Sequence, residues 1–397
     1  MSTDRPAPPF YLCDLDLVSR RFREFRDAFS PRFPRLAVGY SYKTNYLPAL
    51  VRHLDGLGAL AEVVSPFEEW LARRVGVDGE RIVVNGPGKG RELLLGAFGR
   101  GSRLNLDSIF EAQTLARECG GNPRGRGVGL RVNVPHPESR AGRGRSRFGL
   151  PRSGPQGVGA AARLLAEAGI EVVGLHAHLS TRDRGLDVFR GLVAELAAAA
   201  AELPRTPEYL DLGGGFGRAP AGMDLRFPTL EEYAEAIRDE LSRRLPGFRD
   251  GLLLIEPGIA MVGDAFSFFA PVLEVREVDG RRVALVDGSV HNVKPTRHRH
   301  ALPATALDAG LEPKRGPLEP HDLVGYTCMD DDYLGQDVAL PPLAPGDVVR
   351  LDAVGAYTLV FKPPFIRPTP PVYVRQGAET RLARRAESFE DLVAGDA

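Results

Sequence analysis

Lys43 ends an apolar run, Leu36-Ala37-Val38-Gly39-Tyr40-Ser41-Tyr42-Lys43, and is followed by Thr44-Asn45. Lysine is scarce in this chain: the others are Lys89, Lys294, Lys314 and Lys362, against a Lys+Arg total of 51. An amine at the C-terminal end of a buried strand is placed to form a Schiff base with a carbonyl-bearing cofactor. Taken alone it reads more simply as a strand-end charge. Its company decides otherwise. Polar residues close the later apolar runs as well: Glu62 with Ser65, Asn85, Asp107, Arg131 with Asn133, His176 with His178, Asp211 and Glu256. A purely structural core would not set so many ionisable groups at corresponding ends.

Two of these ends carry further chemistry. Gly213-Gly214-Gly215 follows Asp211 and lets the backbone approach an anion such as a phosphate closely. Glu256-Pro257-Gly258 offers a carboxylate and another small residue. A carboxylate beside a pyridine nitrogen keeps that nitrogen protonated and makes the ring an electron sink. His178 can lie flat on such a ring. His176 and His178 are not expected to share a metal ion, and no metal is predicted.

The runs that must position these residues lie at 36–43, 59–65, 81–86, 103–107, 128–134, 171–179, 208–212 and 252–256. Several are near-continuously apolar, as strands buried on both faces are. Between them, Ala/Leu/Glu/Arg-rich stretches at 67–75, 108–119, 157–168 and 187–203 have helical spacing. Eight strands alternating with helices over about 220 residues predict an α/β fold, a (β/α)8 TIM-type barrel. In that architecture chemistry gathers at the C-terminal strand ends, with phosphate sites common after the seventh strand. A doubly wound open sheet is the structural runner-up and would gather the polar residues at one switch point.

After about residue 265 the pattern changes. Short β-type segments at 266–278, 282–287, 347–351 and 371–374 alternate with Gly/Pro turns. They predict a C-terminal, mostly-β domain, to which residues 10–13 of the Pro-rich N-terminus can add a strand. The expected division is 35–265 for the barrel and 1–34 with 266–397 for the β-rich domain. The tract 140–147 (RAGRGRSR) reads as a surface loop, with anion capture as its alternative.

Composition narrows the function classes. At 397 residues the chain is too long for one compact core. Its 43% hydrophobic and 26% charged residues are ordinary for a soluble protein. A formal net charge of −1 argues against a general nucleic-acid partner. No apolar run has the length of a membrane span, and the start MSTDRPAPPF lacks a signal-peptide pattern. Cys13, Cys119 and Cys328 lie far apart, as free thiols in a reducing cytoplasm do. A cytoplasmic protein with neither membrane nor nucleic-acid partner is expected.

Eight short motifs then occur in order: YSYKTN (40–45), AEVVS (61–65), RFG (147–149), GLHAH (174–178), LDLGGGF (210–216), EPG (256–258), GYTC (325–328) and GAYT (355–358). In this the chain resembles the fold-type III pyridoxal phosphate-dependent decarboxylases, the group of ornithine, diaminopimelate and arginine decarboxylases, whose barrel is alanine-racemase-like. The resemblance implies pyridoxal 5'-phosphate as cofactor, Lys43 as its Schiff-base lysine and His178 as the histidine stacked on its ring. Glu256 resembles the carboxylate at the pyridine nitrogen. Gly214, Gly215, Gly258 and Tyr357 resemble phosphate contacts, with Thr181 donating a hydroxyl. Glu62 and Arg131 resemble inner polar residues near the Schiff base. Cys328 resembles the thiol that enters the neighbouring subunit's site and reprotonates the product carbon, which implies a homodimer with shared active sites. The related alanine racemases use an arginine at the place of Glu256, and a carboxylate there favours decarboxylation.

The departures bear on substrate. The family usually places an acid after the cysteine to hold a distal amine; here Met329 stands there, followed by Asp330. A methionine cannot pair with an ammonium. Either Asp330 takes over or the substrate lacks that amine. Ile259 replaces the arginine of a Glu-Pro-Gly-Arg motif, and Ser180-Thr181 stands for Gly-Ser. Lys294 lies where diaminopimelate decarboxylases carry a carboxylate-binding arginine, and Arg297, His298 and Arg299 add positive charge. The expected reaction is decarboxylation of an amino acid to the amine. The substrate is a diamino acid or a conjugated or carboxylated derivative, as in siderophore, antibiotic or polyamine pathways. An amino-acid racemase or epimerase on the same scaffold, and a non-catalytic cofactor-binding protein, are the alternatives.

Overall fold

The computed structural model describes residues 6–119, 127–138, 144–182, 184–219, 223, 225–298, 300–361 and 365–395. A first strand, β1 (Phe10–Asp14), runs directly into helix α1 (Leu15–Phe29). The sequence reading passed over this helix. Its signal is a stripe of Leu15, Val18, Phe22, Phe25 and Phe29 at three- and four-residue spacing, all buried.

Eight strands and seven helices then alternate. They are β2 (Leu36–Ser41), α2 (Pro48–Gly56), β3 (Leu60–Val63), α3 (Pro66–Arg74), β4 (Ile82–Val84), α4 (Arg91–Gly99), β5 (Arg103–Leu106) and α5 (Ile109–Cys119). The series continues with β6 (Val128–Arg131), α6 (Val158–Glu167), β7 (Val172–His176), α7 (Leu186–Ala200), β8 (Tyr209–Asp211), α8 (Leu230–Arg244) and β9 (Leu252–Ile255). Strands β2 to β9 form a closed barrel. The closing ladder is parallel and pairs Leu36 of β2 with Leu253 of β9, which rules out the open sheet. All eight expected strands are present, each ending one to three residues earlier than its apolar run. The polar residues therefore fall at or just beyond the last ladder pair, where barrel loops begin.

One aromatic cluster ties a functional loop to the barrel wall. Phe216 follows Gly213-Gly214-Gly215 and is buried among Phe25 and Phe29 of α1, Phe189 of α7 and Tyr233 of α8. The backbone N–H of Gly217 donates to the Tyr233 hydroxyl at 3.2 Å, and that hydroxyl donates to the carbonyl of Arg184. Phe216→Ala would leave a ring-sized void. The expected loss is about 3–5 kcal/mol, read as a lowered midpoint in urea with an unchanged slope. A loss below about 1 kcal/mol would mean that the loop is anchored elsewhere.

The chain divides into two compact units. One comprises Ser19–Arg218 and Arg226–Ala260; the other comprises Met1–Val18, Ala219–Leu225 and Met261–Ala397. The N-terminal segment is thus shared, with β1 in the second unit and most of α1 in the barrel unit.

The second unit is built on β10 (Phe266–Val278), β11 (Arg281–Val286), β12 (Ala304–Leu307), β13 (Glu319–Val324), β14 (Tyr333–Leu340), β15 (Val348–Asp352), β16 (Val372–Gln376) and β17 (Glu379–Arg384). The sheet order is β14-β13-β11-β10-β1-β16-β17, with β15 pairing β10 and β12. β1 does add a strand here, antiparallel to β10 and parallel to β16. Strands β12, β13, β14 and β17 were not singled out from the sequence. No helix among the described residues is long and apolar enough to cross a membrane.

Candidate active site

The C-terminal ends of the barrel strands converge on a buried polar network. Lys43 sits in a single 3-10 turn beyond β2, half-buried, with its ammonium 2.5 Å from Oε2 of Glu62 on β3. Ser41 donates to the same oxygen at 2.5 Å, and Lys43 also reaches Ser41 Oγ at 3.2 Å. Burial pushes the Glu62 carboxyl up, but the Lys43 charge and the hydrogen bonds from Lys43, Ser41 and Asn85 outweigh it. The net direction is down, so Glu62 is the ionised partner of Lys43.

From Glu62 the network runs across the barrel. Asn85, just past β4, donates to Glu62 Oε1 at 3.2 Å and to Glu256 Oε1 at 2.7 Å. Asn105 of β5 donates to Asn85 at 2.8 Å and to Asp211 at 3.2 Å, and accepts from the Tyr209 hydroxyl at 2.7 Å. Asp211 ends β8 and accepts the N–H of Gly213 at 2.9 Å. Burial pushes its carboxyl up to about 7 and that of Glu256 well above the usual carboxylate range, with Asp211 and Glu62 adding to the latter. Arg131 ends β6, donates to Asp107 at 3.2 Å and lies over the Phe148 ring at 4.5 Å.

The two histidines part company. Residues two apart share a face of a continuing strand, but β7 stops at His176. His176 Nδ1 turns to Asp211, 3.2 Å from its carboxylate, while His178 Nδ1 accepts the N–H of Gly214 at 3.0 Å. A ring nitrogen that accepts from an amide carries no proton. His178 is therefore neutral, with its hydrogen on Nε2. Burial pulls it well below the ordinary histidine range, and the charges of Lys43 and Arg131 add to that. His176, also buried, is lowered to about 4. His176, Asp211 and Glu256 each offer an atom within 4.8 Å of the others, though their hydrogen bonds are made to one another and to the network.

The glycine loop lies directly against this set. A Cβ on Gly213 would come within 2.5 Å of the His178 ring, and one on Gly214 within 2.5 Å of the Glu256 carbonyl. Gly213 and Gly215 have φ of 62° and 100°, open to glycine at little cost. Gly258 packs on Thr44, the residue after Lys43, with 2.2 Å from a built Cβ to its hydroxyl. Thr181 is buried in the loop after β7. The donor set fits pyridoxal phosphate: an amine for the aldehyde, a neutral imidazole for the ring face, a buried acid for the ring nitrogen, and close-lying glycine backbone for the phosphate.

Two strand-end residues turn out to brace the fold. Ser65 caps α3 by accepting the N–H of Glu68, and Asn133 donates to the carbonyls of Ser146 and Phe148. Arg145 is held by Asn133 through two hydrogen bonds of 2.8 Å, which disfavours anion capture there. Residues 140–143 of that tract, and Arg299, lie outside the described residues. Sequence reasoning missed Ser41, Asn105 and Tyr209. For Asn105 and Tyr209 the signal was a pair of glycines on neighbouring strands: Gly129 and Gly174 leave the space that Asn105 and the Tyr209 ring fill, with built Cβ distances of 1.9 and 2.0 Å.

The other expected site residues belong to the second unit. Cys328 is exposed in the loop between β13 and β14, with Met329 and Asp330 beside it. Asp332 organises that loop, accepting from Ser289, from the N–H of Val290 and from Thr327 at 2.6–3.1 Å. Arg297 meets Asp331 at 3.0 Å and Met329 Sδ at 3.8 Å. Asp331, rather than Asp330, is therefore the acid paired with a neighbouring cation. Lys294 is half-buried, its ammonium has no carboxylate partner among the described residues, and burial lowers its affinity for a proton. Tyr357 is half-buried with φ 55° and stacks on Phe361 at 5.8 Å.

A closed parallel barrel presenting a lysine, a neutral histidine, a buried acid and a triple-glycine turn at its strand ends defines a pyridoxal phosphate-binding barrel. The model of the family described as "Pyridoxal-dependent decarboxylase, pyridoxal binding domain" matches residues 15–263. The chain is 31% identical to a probable chloroplastic diaminopimelate decarboxylase of Oryza sativa subsp. japonica, over 97% of its own length and 79% of the relative's. It is 29% identical to the diaminopimelate decarboxylase of Methanothermobacter thermautotrophicus, over 99% and 92%. Among solved structures, diaminopimelate decarboxylase from M. jannaschii in complex with L-lysine superposes with a TM-score of 0.86 at 24% identity, over 98% of this chain and 92% of that one. The chain belongs to the pyridoxal-dependent decarboxylase family: it is a pyridoxal phosphate-dependent carboxy-lyase acting on an amino acid.

Proposed function

We propose that this chain decarboxylates an amino acid whose distal end is anionic or bulky, such as a carboxylated or conjugated diamino acid, in a specialised biosynthetic route. The observation that carries the reaction is the Lys43–Glu62 pair set beside a neutral His178 and a buried Glu256. Bound pyridoxal phosphate supplies an aldehyde that takes up amines and a ring that accepts the electron pair left when a carboxylate departs as CO2. Lys43 is the amine that holds the cofactor and yields to the substrate amine. Glu62 and Ser41 keep that ammonium in place, and the Glu62 carboxylate can take up its proton. His178 presents its ring face, its orientation fixed by Gly214. Glu256 faces the ring nitrogen. Gly214, Gly215, Gly258, Thr181 and Tyr357 serve the phosphate, and Arg131 adds positive charge near the reacting end.

The family resemblance supports Cys328 as the acid that returns a proton to the product carbon, working from one subunit on the barrel of the other. Phe67 and Trp70, stacked at 6.1 Å and half-exposed on α3, offer an apolar surface to such a homodimer.

Substrate choice rests on the loop residues. Met329 offers no charge to a distal ammonium, while Lys294 has no carboxylate partner among the described residues and Arg297 lies three residues further on. A CO2-release panel of ornithine, lysine, arginine, diaminopimelate and acylated or carboxylated diamino acids tests this. The anionic or conjugated members are expected to exceed lysine and ornithine at least about tenfold in kcat/KM, the worth of one charged hydrogen bond. Met329→Glu is expected to reverse part of that gap in favour of ornithine. Best turnover of a plain diamino acid by the unaltered protein would sink the substrate reading.

A further inference from the structure

Asp211 and Glu256 come from neighbouring strands, with Asp211 opposite Leu254 in the β8–β9 ladder. Both are buried, at 0% and 3% exposure, and an oxygen of each carboxyl group lies within 4.8 Å of one on the other. Two negative charges that close together and away from water strongly disfavour each other, so one of the two carboxyl groups carries a proton. The surrounding donors say which. Asp211 accepts from Gly213 and Asn105, and His176 Nδ1 lies 3.2 Å from it. Of the same network, Asn85 alone donates to Glu256, having spent its other N–H on Glu62. Asp211 is the member with more donors, so the negative charge rests there and the proton sits on Glu256. Other charged groups face the pair: Lys43 and Glu62 across Asn85, and Arg131 with Asp107 from β6 and β5. Tyr209, His176 and His178 are neutral.

We propose that Asp211 and Glu256 form a one-proton carboxyl pair, in which Asp211 is the positioning residue that keeps on Glu256 a proton destined for the cofactor's ring nitrogen. This rests on the reading that Glu256 faces that nitrogen. On binding, the proton passes from Glu256 to the nitrogen, and Glu256 keeps the negative charge as the ion-pair partner. Asp211 is ionised before and after. No proton is drawn from water.

The test is calorimetric titration of the full-length apoprotein with pyridoxal phosphate at alkaline pH, where the free ring nitrogen is unprotonated. Buffers of differing ionisation enthalpy count the protons exchanged. Burial is the first cause that favours the proton on Glu256 and the Asp211 charge adds to it; Asp211→Asn removes that charge. It is expected to take up about one more proton per cofactor than the unaltered protein, and to lose affinity about tenfold per pH unit where the unaltered protein stays level. A merely structural role would lower affinity without changing the proton count. An Asp211→Asn proton count equal to that of the unaltered protein overturns the pair while leaving Glu256 in its role, provided Glu256→Gln still weakens binding. If Glu256→Gln changes nothing, both readings fall. Should Asp211→Asn not fold, the infrared spectrum of the unaltered apoprotein decides. A protonated-carboxyl band at that pH, lost on adding cofactor, is expected, and its absence overturns the proposal.

Discussion

Lys43→Ala is expected to abolish covalent attachment of the cofactor and to lower decarboxylation by at least about a thousandfold. The reason is that the barrel has no substitute amine. The other lysine of that unit, Lys89, is buried at 1% exposure and its ammonium is held by Glu111 at 2.8 Å and the Gly86 carbonyl at 2.6 Å. Burial also lowers its proton affinity, but it cannot swing free without breaking a buried ion pair. The fold should survive the change, because Ser41 and Asn85 still donate to Glu62. Absorption in the visible after dialysis, and mass after borohydride reduction, read the attachment directly. Lys43→Arg separates charge from chemistry: it restores a cation beside Glu62 yet should be equally devoid of covalent cofactor. A cofactor adduct persisting in Lys43→Ala would move the site elsewhere in the chain.

Cys328→Ala is expected to leave cofactor binding intact and to slow product formation by about 10²- to 10³-fold, the range of a single positioned acid. The thiol is exposed and the loop that carries it is shaped by Asp332, whose partners are Ser289, Val290 and Thr327 rather than the cysteine. Removing the sulfur therefore removes a proton donor without unmaking the loop. CO2 release compared with amine formation in deuterated water gives the measurement: the two should diverge, with protonation at the wrong carbon or face. Equal rates and an unaltered deuterium pattern would take Cys328 out of the reaction. Mixing Lys43→Ala with Cys328→Ala chains tests the proposed dimer with shared sites, in which one hybrid site would regain both groups and activity would return.

Much of the barrel was legible because its cause is local. Apolar runs of five to nine residues between helix-patterned stretches can bury both faces only in a covered parallel sheet. Helix α1 and strands β12–β14 and β17 escaped notice: α1 hides its stripe among arginines, and the strands of an exposed sheet alternate weakly. Strand ends were misjudged by one to three residues, since an apolar run says where burial continues but not where the ladder stops. Ser65 and Asn133 looked like site residues by position and proved to be a cap and a brace, a distinction made by which backbone groups the fold leaves needing a partner.

The sequence by itself determined which chemical groups would stand at one end of the barrel, because strand-end position is written in the alternation of apolar and polar runs. Only the tertiary structure decided what state those groups are in. Glu62, Asp211 and Glu256 are the same kind of acid in the sequence, yet the first is held below the usual carboxylate range beside Lys43 while burial pushes the other two above it. Proton affinity depends on burial and on charges a few ångströms away, and those distances exist only once β2, β3, β8 and β9 have closed on one another.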